Sequence, residues 1–324
     1  MTEGLSRDFD EPLDPKRFDK FISSLSEEQQ SAFWRLYSAK QNYLTADEAQ
    51  ERRLLIELFR QATKDIEVHV ARIFSEQGTD KWDLQTMRRF GRDKALFEQI
   101  KQRIQTLNAD LNQRVEQAMT NHFKKAWFRN AHKLDSLTPA STSIQFGIIP
   151  DYNILALLHR PFGGAMFSDR IGLITDEMAE NIRRELLRSM ISGESWNQAA
   201  RRIRDEMGTR GRKAVWRAEM VARTELTRAQ EMGTFQFNEE NKDVIDKVVW
   251  VAHSGACEDC RALDGKVLKK EDDYPPNPSH PNCTCDAMAI PKPWNKLATP
   301  DEEKDKPVVQ PFNNWMEDKV GGTI

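Results

Sequence analysis

The sequence FGRDKALFEQIKQRIQTLNADLNQRVEQA occupies residues 90–118, and its spacing of apolar residues decides the fold class. Lys, Arg, Gln, Glu and Asn fill most of the intervening positions, and neither Gly nor Pro interrupts residues 92–138. The apolar residues recur at steps of three, four or seven, and they are Phe90, Phe97, Ile100, Ile104, Leu107, Leu111, Val115 and Ala118. The pattern predicts an amphipathic helix over 85–133, about 70 Å long at about 1.5 Å per residue.

The segment before this helix shows the same periodicity. Thr45 and Glu48 form a capping-box pattern, apolar residues follow at helical spacing as far as Phe74, and Gly78 breaks the pattern. Two successive helices predict a long N-terminal helical hairpin. The apolar stripe is then the core of the hairpin. The alternative interpretation, a partner-binding arm, is retained because a two-helix hairpin leaves apolar surface uncovered.

Helices are predicted again after a connector that is rich in Pro and Gly. Thr175 is the expected N-cap of a first helix, and Ser195 with Gln198 predicts a second one that ends near Gly208. A third helix is expected over 213–238. Its expected inward-facing residues are Trp216, Met220, Val221, Thr224 and Ala229.

This three-helix region is basic, although the net charge of the 324-residue chain is only -3. Residues 183–228 hold twelve Lys and Arg against six Asp and Glu, a local charge of +6. A solvated basic face on a helical bundle explains the excess. A DNA-binding helix-turn-helix is less favoured because Glu219, Glu225 and Glu231 interrupt the third helix, while non-specific contact with phosphates stays open.

The pattern becomes β-like after Lys247. Val248–Ala252 is a run of strand-forming residues, and Leu263-Asp264-Gly265-Lys266-Val267-Leu268 places Asp-Gly between apolar residues, which predicts a hairpin turn. Beyond residue 292 the chain is acidic and interrupted by Pro, and we expect an extended tail or one that orders only against a partner.

All four cysteines of the chain lie in this C-terminal part. Cys257 and Cys260 form a Cys-x-x-Cys pair, and Cys283 and Cys285 follow after His280. Two residues between thiols allow both sulfurs to bind one ion, and a second pair from another loop completes a tetrahedron. We therefore predict one structural zinc ion, with five candidate ligands for four positions.

Other readings of the cysteines are weaker. Disulfides are disfavoured because no secretory signal precedes them and because they cluster, and a redox Cys-x-x-Cys lacks a thioredoxin-like βαβ context. An iron–sulfur cluster stays a minor alternative. A catalytic zinc site with His253, Glu258, Asp259 or Asp264 as acid or base is disfavoured, since a site rich in thiolates is closed and a poor Lewis acid.

Composition excludes other broad classes. No run of 18 apolar residues exists, so we expect no membrane-spanning helix, and 16 Phe with 8 Trp argue against a fully disordered chain. The sequence also contains no phosphate-binding Gly-rich loop, no nucleophile elbow and no His-Glu-x-x-His motif.

An ordered series of motifs links the C-terminal half to a known family. These motifs are Ala222-Arg223-Thr224-Glu225, Ala229, Gly233, Trp250, Cys257-x-x-Cys260, Leu263-Asp264-Gly265 and His280-Pro281-Asn282-Cys283-Thr284-Cys285. Over about 174–290 the chain resembles the phage Mu protein F-like minor head proteins, also called the phage head morphogenesis domain family. Thr284 departs from the family, which often has Arg there; this changes the charge of the loop and leaves its candidate ligands intact.

The resemblance implies a minor capsid protein that assembles in the host cytoplasm into the procapsid and virion. Its implied partners are the portal protein and, further, the scaffold or major capsid protein, with non-specific DNA contact through 183–228 and no membrane. The resemblance implies a protein that is not an enzyme. The alternatives are a zinc-dependent nuclease or a DNA-binding packaging factor.

The predicted fold is mainly α with a small α+β C-terminal lobe held by zinc. It combines a long N-terminal helical hairpin, a three-helix region and short β-hairpins. The predicted boundaries are 1–135 for the helical arms, 136–173 for the connector, 174–291 for the minor-head-like domain and 292–324 for a flexible tail.

Overall fold

The structure, a computed structural model, describes most of the chain after residue 90. The described ranges are 91–138, 142–147, 149–252, 256–264, 266–268, 283, 285–292 and 311–321, with short runs and single positions between 23 and 72. They divide into two compact units. The first unit contains the described residues of 1–47, 118–158 and 223–324, and the second those of 48–117 and 159–222.

Helices dominate the described residues. Four of them precede the sheet, and they are α1 (Arg92–Leu137), α2 (Asp151–Leu158), α3 (Phe167–Ile191) and α4 (Trp196–Glu240). The elements that follow are β1 (Ile245–Val251), α5 (Glu258–Leu263), β2 (Val267–Leu268), β3 (Asp286–Pro291) and α6 (Phe312–Lys319). No helix among the described residues combines the length and the apolar character needed to cross a bilayer.

Helix α1 confirms the single long helix predicted from the apolar stripe. Ile100, Ile104, Leu107 and Leu111 are buried in the second unit, while Phe90 lies outside the described residues. From Ala118 onward, in the first unit, the helix is buried nearly all round and includes polar side chains. The predicted helix before α1 is described only in part: its described positions between 50 and 72 are helical, and the hairpin pairing stays a prediction.

The connector contains more helix than the sequence predicts. Helix α2 lies within it, and α3 begins at Phe167, so Thr175 as the N-cap is wrong. Asp169 provides the N-terminal cap because its carboxylate accepts the N–H of Met166 at 3.2 Å, whereas the Thr175 hydroxyl donates to the Gly172 carbonyl inside the helix. Gly193, at φ 61°, ends α3 as predicted.

Helix α4 is continuous, so the predicted break near Gly208 is wrong and two helices replace the predicted three. One interior Gly costs only about 1 kcal/mol, less than packing along a 45-residue helix supplies. Its start is as predicted, since the Gln198 side chain accepts the N–H of Ser195 at 2.8 Å. Trp216, expected to face inward, is 58% exposed, because the buried stripe of the helix runs through Ala218, Val221 and Ala222 instead.

A three-stranded antiparallel sheet follows, in the order β2-β1-β3. It confirms the strand predicted at Val248–Ala252 as far as Val251, which is the last residue of β1. The hairpin predicted around Asp264-Gly265 is wrong: Leu263 ends helix α5, and β2 pairs with β1. The turn signal therefore marks a change from helix to strand.

Helix α6 corrects the prediction of a flexible tail at residues 311–321. Trp315 is 1% exposed and its indole N–H donates to the Asp135 carboxylate on α1 at 2.8 Å. The rings of His132 and Phe146 lie 5.6 and 5.7 Å from the Trp315 ring. Burying Trp315 and Met316 gives this short segment enough apolar contact to order. Residues 293–310 of the predicted tail lie outside the described residues.

Candidate metal centre

The first pair of cysteines lies just beyond strand β1. The backbone N–H of Ala252, which follows the strand, donates to the Asp264 carboxylate at 2.9 Å. This bond ties the two ends of the segment that holds both cysteines. Asp264 is 8% exposed, so the bond is shielded from water.

Helix α5 places Cys257 and Cys260 on one turn. Cys257 is the N-cap residue of the helix, in extended conformation, and its sulfur accepts the N–H of Cys260 at 3.5 Å. One helical turn therefore directs both thiols to the same side. Cys260 is buried and Cys257 is partly exposed.

The second pair is positioned by strand β3. Cys285 directly precedes the strand, whose first residue, Asp286, is 3% exposed. The Asp286 carboxylate accepts the N–H of Ala287 at 2.7 Å and the side-chain amide of Gln230, on α4, at 3.2 Å. Gln230 thus anchors the second cysteine loop to the helix, a role that no motif in the sequence indicated.

Three thiols converge in the interior. The sulfurs of Cys260, Cys283 and Cys285 all lie within 4.8 Å of one another, and those of Cys260 and Cys283 are 3.8 Å apart. Ligands about 2.3 Å from a tetrahedral zinc ion are separated by about 3.8 Å, so this spacing fits a shared ion. None of the four cysteines is in a disulfide bond, which disfavours the disulfide reading.

The electrostatics of the cluster favour neutral thiols until a cation is present. Burial raises the pKa of Cys260 to about 12, and the neighbouring Cys283 adds to the rise. Several buried thiolates cannot coexist without a positive charge to compensate them. A divalent cation would provide that charge and would displace the thiol protons when it binds.

The buried surroundings fit a closed structural site. Trp250 and Ala252, both 0% exposed, pack with the three buried cysteines, and Leu263 covers the cluster from α5. His280, the fifth candidate ligand, and His253, considered as an acid or base, lie outside the described residues. The choice of four ligands among five candidates therefore stays a prediction.

The acidic residues considered for catalysis are placed differently from the thiols. Glu258 and Asp259 are exposed on α5, whereas Cys260 on the same short helix is buried. Asp264 binds the backbone of Ala252, which is a structural role. Among the described candidates, Glu258 and Asp259 are thus at the surface, and the buried Asp264 is engaged by the backbone.

The motif residues on α4 pack this helix against α1 and α2. Glu225 forms a buried ion pair with Arg228 at 2.8 Å, and the Arg228 guanidinium also donates to the carbonyl of Leu158, the last residue of α2. A Cβ atom on Gly233 would lie 2.5 Å from the Phe123 carbonyl oxygen on α1. Gly233 therefore permits the close approach of two helices, which its position in the sequence alone could not reveal.

Comparison with known proteins agrees with this arrangement. Residues 180–288, which include α4, β1, α5, β2 and all four cysteines, match a family described as phage Mu protein F like protein. This confirms the resemblance stated from the motifs. No solved structure matches the chain.

One curated relative is an NAD(+)--arginine ADP-ribosyltransferase, EFV, of Enterococcus faecalis (strain ATCC 700802 / V583). It is 24% identical over an alignment of 190 residues, and the match covers 52% of this chain and 38% of the relative. The chain thus spans well under half the length of that relative.

Proposed function

We propose that this protein, with its phage Mu protein F-like domain at residues 180–288, is a minor head protein of a tailed bacteriophage. It acts in head morphogenesis, and it binds the portal protein and the procapsid interior during assembly. The family match carries the proposal, and the thiol cluster within that domain supports it. The scaffold and major capsid proteins are the further partners to test.

The proposal includes one structural zinc ion. Four of Cys257, Cys260, His280, Cys283 and Cys285 hold it, and the ion supplies a cross-link between helix α5 and the loop before β3. The chain itself orients the thiols through the cap of α5 and the Asp286–Gln230 bond. Because the pKa of Cys260 is raised to about 12, protons compete with the metal and binding weakens as the pH falls.

Co-expression tests the assembly role. The tagged protein is produced with the portal, scaffold and major capsid proteins of the same phage, and complexes are isolated and weighed by native mass spectrometry. We expect a stable complex with the portal protein. Recovery of the folded protein alone, from cells that contain an assembled portal, would contradict the proposal.

A role in packaging through DNA contact is the second candidate. The observation for it is the local charge of +6 over 183–228, where Arg201 and Lys213 are exposed. Several other cations there are already paired, including Arg202 with Glu194 and Arg217 with Glu177. Changing Arg201, Arg202 and Arg204 to Ala should weaken DNA binding and flatten its salt dependence if this face contacts phosphates.

Catalysis is not part of the proposal. The activity in the relative's name is not transferred, because the match covers 38% of that protein. The nuclease alternative predicts metal-dependent DNA cleavage. His253→Ala should abolish this cleavage while zinc is retained. Absence of cleavage with several divalent metals would remove it.

A further inference from the structure

A groove in the first unit lies apart from the cysteine cluster. It has a volume of about 590 Å³, within the usual range of ligand sites. Trp127, on α1, lines it, and we call it the Trp127 groove. Its apolar lining includes Ile149, Pro150 and Leu157, so an occupant would bury apolar surface there.

The Trp127 indole N–H lacks an acceptor among the described residues. Trp127 is 4% exposed, and its Nε1 atom is buried without a hydrogen bond to any described group. The ring of Phe237 packs edge-on against it at 5.5 Å and holds its orientation. A buried donor of this kind is normally paired, and an acceptor that reaches the indole when the groove is occupied would complete the bond.

One wall of the groove is a segment without regular secondary structure, residues 142–147, along which exposure alternates from residue to residue. The side chain of Asn241 holds this segment: it accepts the N–H of Gln145 at 2.7 Å and donates to the Gln145 carbonyl at 2.9 Å. Gln145 and Gly147, two residues apart, both line the groove. The wall is therefore formed before any ligand arrives.

Three side-chain carboxamides line the groove: those of Gln145, Asn153 and Gln236. A carboxamide offers a donor and an acceptor together. The main chain of an extended polypeptide presents N–H and C=O groups in alternation, and it matches this set. A carbonyl of the same polypeptide would also satisfy the Trp127 indole N–H.

Glu240 selects the charge of the occupant. It is the one charged residue among the described residues that line the groove, and the Gln236 amide donates to its carboxylate at 3.2 Å. The nearby Asp151 is already paired with Lys124 at 2.6 Å. A phosphate or an acidic peptide would meet unfavourable charge here, whereas Lys or Arg would be attracted.

We propose that the Trp127 groove binds an extended segment of another polypeptide that carries a basic side chain. The proposal does not depend on the role in head assembly, since it rests on the groove alone. The partner's main chain bonds to the carboxamides and to the Trp127 indole, and its basic side chain pairs with Glu240.

Indole resonances in a ¹⁵N NMR spectrum provide the test. The probes are two pools of capped eight-residue peptides with random flanks, one with a central Arg and one with a central Glu. We expect the Trp127 indole signal, assigned by its loss in Trp127→Phe, to shift and saturate with the Arg pool only. The Trp250 and Trp315 signals should not move.

Variants keep the test decisive. Glu240→Gln, at an exposed position, should weaken binding of the Arg pool about tenfold, as loss of a charge-assisted bond costs about 1.4 kcal/mol or more. Asp246→Asn, an exposed acid outside the groove, should have no effect. Equal shifts with both pools, no saturable shift at millimolar peptide, or an unchanged affinity in Glu240→Gln would each overturn the proposal.

Discussion

Helix α4 packs in two different ways along its length. Within the second unit its neighbour α3 contributes an apolar stripe, and pairs of α4 such as Glu177–Arg217 and Glu194–Arg202 are exposed at least in part. Within the first unit its polar groups are buried: Glu225 pairs with Arg228, and the Asn130 amide donates to the Thr234 hydroxyl at 2.9 Å. Polar residues on one helix are thus replaceable in one part and structurally required in the other.

The C-terminal part of α4 also supports the cysteine lobe through Gln230. The elements of that lobe are short, with six residues in α5, two in β2 and six in β3. Such elements bury little apolar surface, whereas α3 and α4 bury long stripes. The comparison therefore predicts that substitutions in the first unit lower the stability strongly. Substitutions in the second unit should lower it little.

The largest effect is expected from Cys283→Ser. Structural zinc contributes about 10–16 kcal/mol to small sites, so the lobe should lose its metal and unfold. Zinc content should fall from one ion per chain to none, and hydrogen exchange should rise in β1 and β3 while α3 stays protected. Asp259→Ser, on the exposed side of α5, is the matched control; full zinc content in Cys283→Ser would contradict the site.

The second-largest effect on stability is expected from Glu225→Gln. Removing one partner of a buried ion pair leaves an uncompensated charge on Arg228, which costs about 3–5 kcal/mol. The exposed pair of Glu180 and Arg183 is the control, and Glu180→Gln should cost less than about 0.5 kcal/mol. Urea unfolding of the two variants measures the difference, and equal midpoints would refute the contrast between the buried pair on α4 and the exposed pair on α3.

Substitution of two glycines by Ala should change the stability by smaller amounts, and in opposite directions. Gly233→Ala should destabilise by about 1–3 kcal/mol, because the new methyl group meets a backbone carbonyl of α1 that cannot rotate away. Gly172→Ala, in α3 with nothing within 4 Å of its Cβ position, should stabilise by about 0.5–1 kcal/mol. Thermal unfolding of both variants measures the two changes. A stabilising Gly233→Ala would show that α1 and α4 are farther apart than the structure places them.

The smallest effect concerns pH in the second unit. The hydrogen bond from Arg202 holds the pKa of Glu194 below its ordinary value of 4.5. The pair therefore stabilises above that value, and its contribution is lost as the pH falls through the lowered pKa. In Arg202→Met the pKa of Glu194 should rise toward its ordinary value, as ¹³C titration of the carboxyl group can show; an unchanged pKa would refute the pairing.

Sequence reasoning worked best where one physical signal dominates. The stripe of α1, the strand through Val249 and the convergence of the cysteines follow from periodicity, β-propensity and ligand spacing. It failed where a weak local signal competes with packing: Gly208 does not end α4, and Asp264-Gly265 does not make a hairpin. In both places the long-range contacts of the surrounding elements outweigh a local preference of about 1 kcal/mol.

The sequence by itself determined the helical class, the family resemblance and the residues able to bind a metal, since these depend on spacing along the chain. Tertiary structure alone decided which polar residues are buried. The Gln230–Asp286 anchor and the contact that requires Gly233 join segments far apart in sequence, and the Trp127 indole, without an acceptor among the described residues, packs against Phe237. Such contacts depend on how the helices approach one another in three dimensions, and no local pattern records that approach.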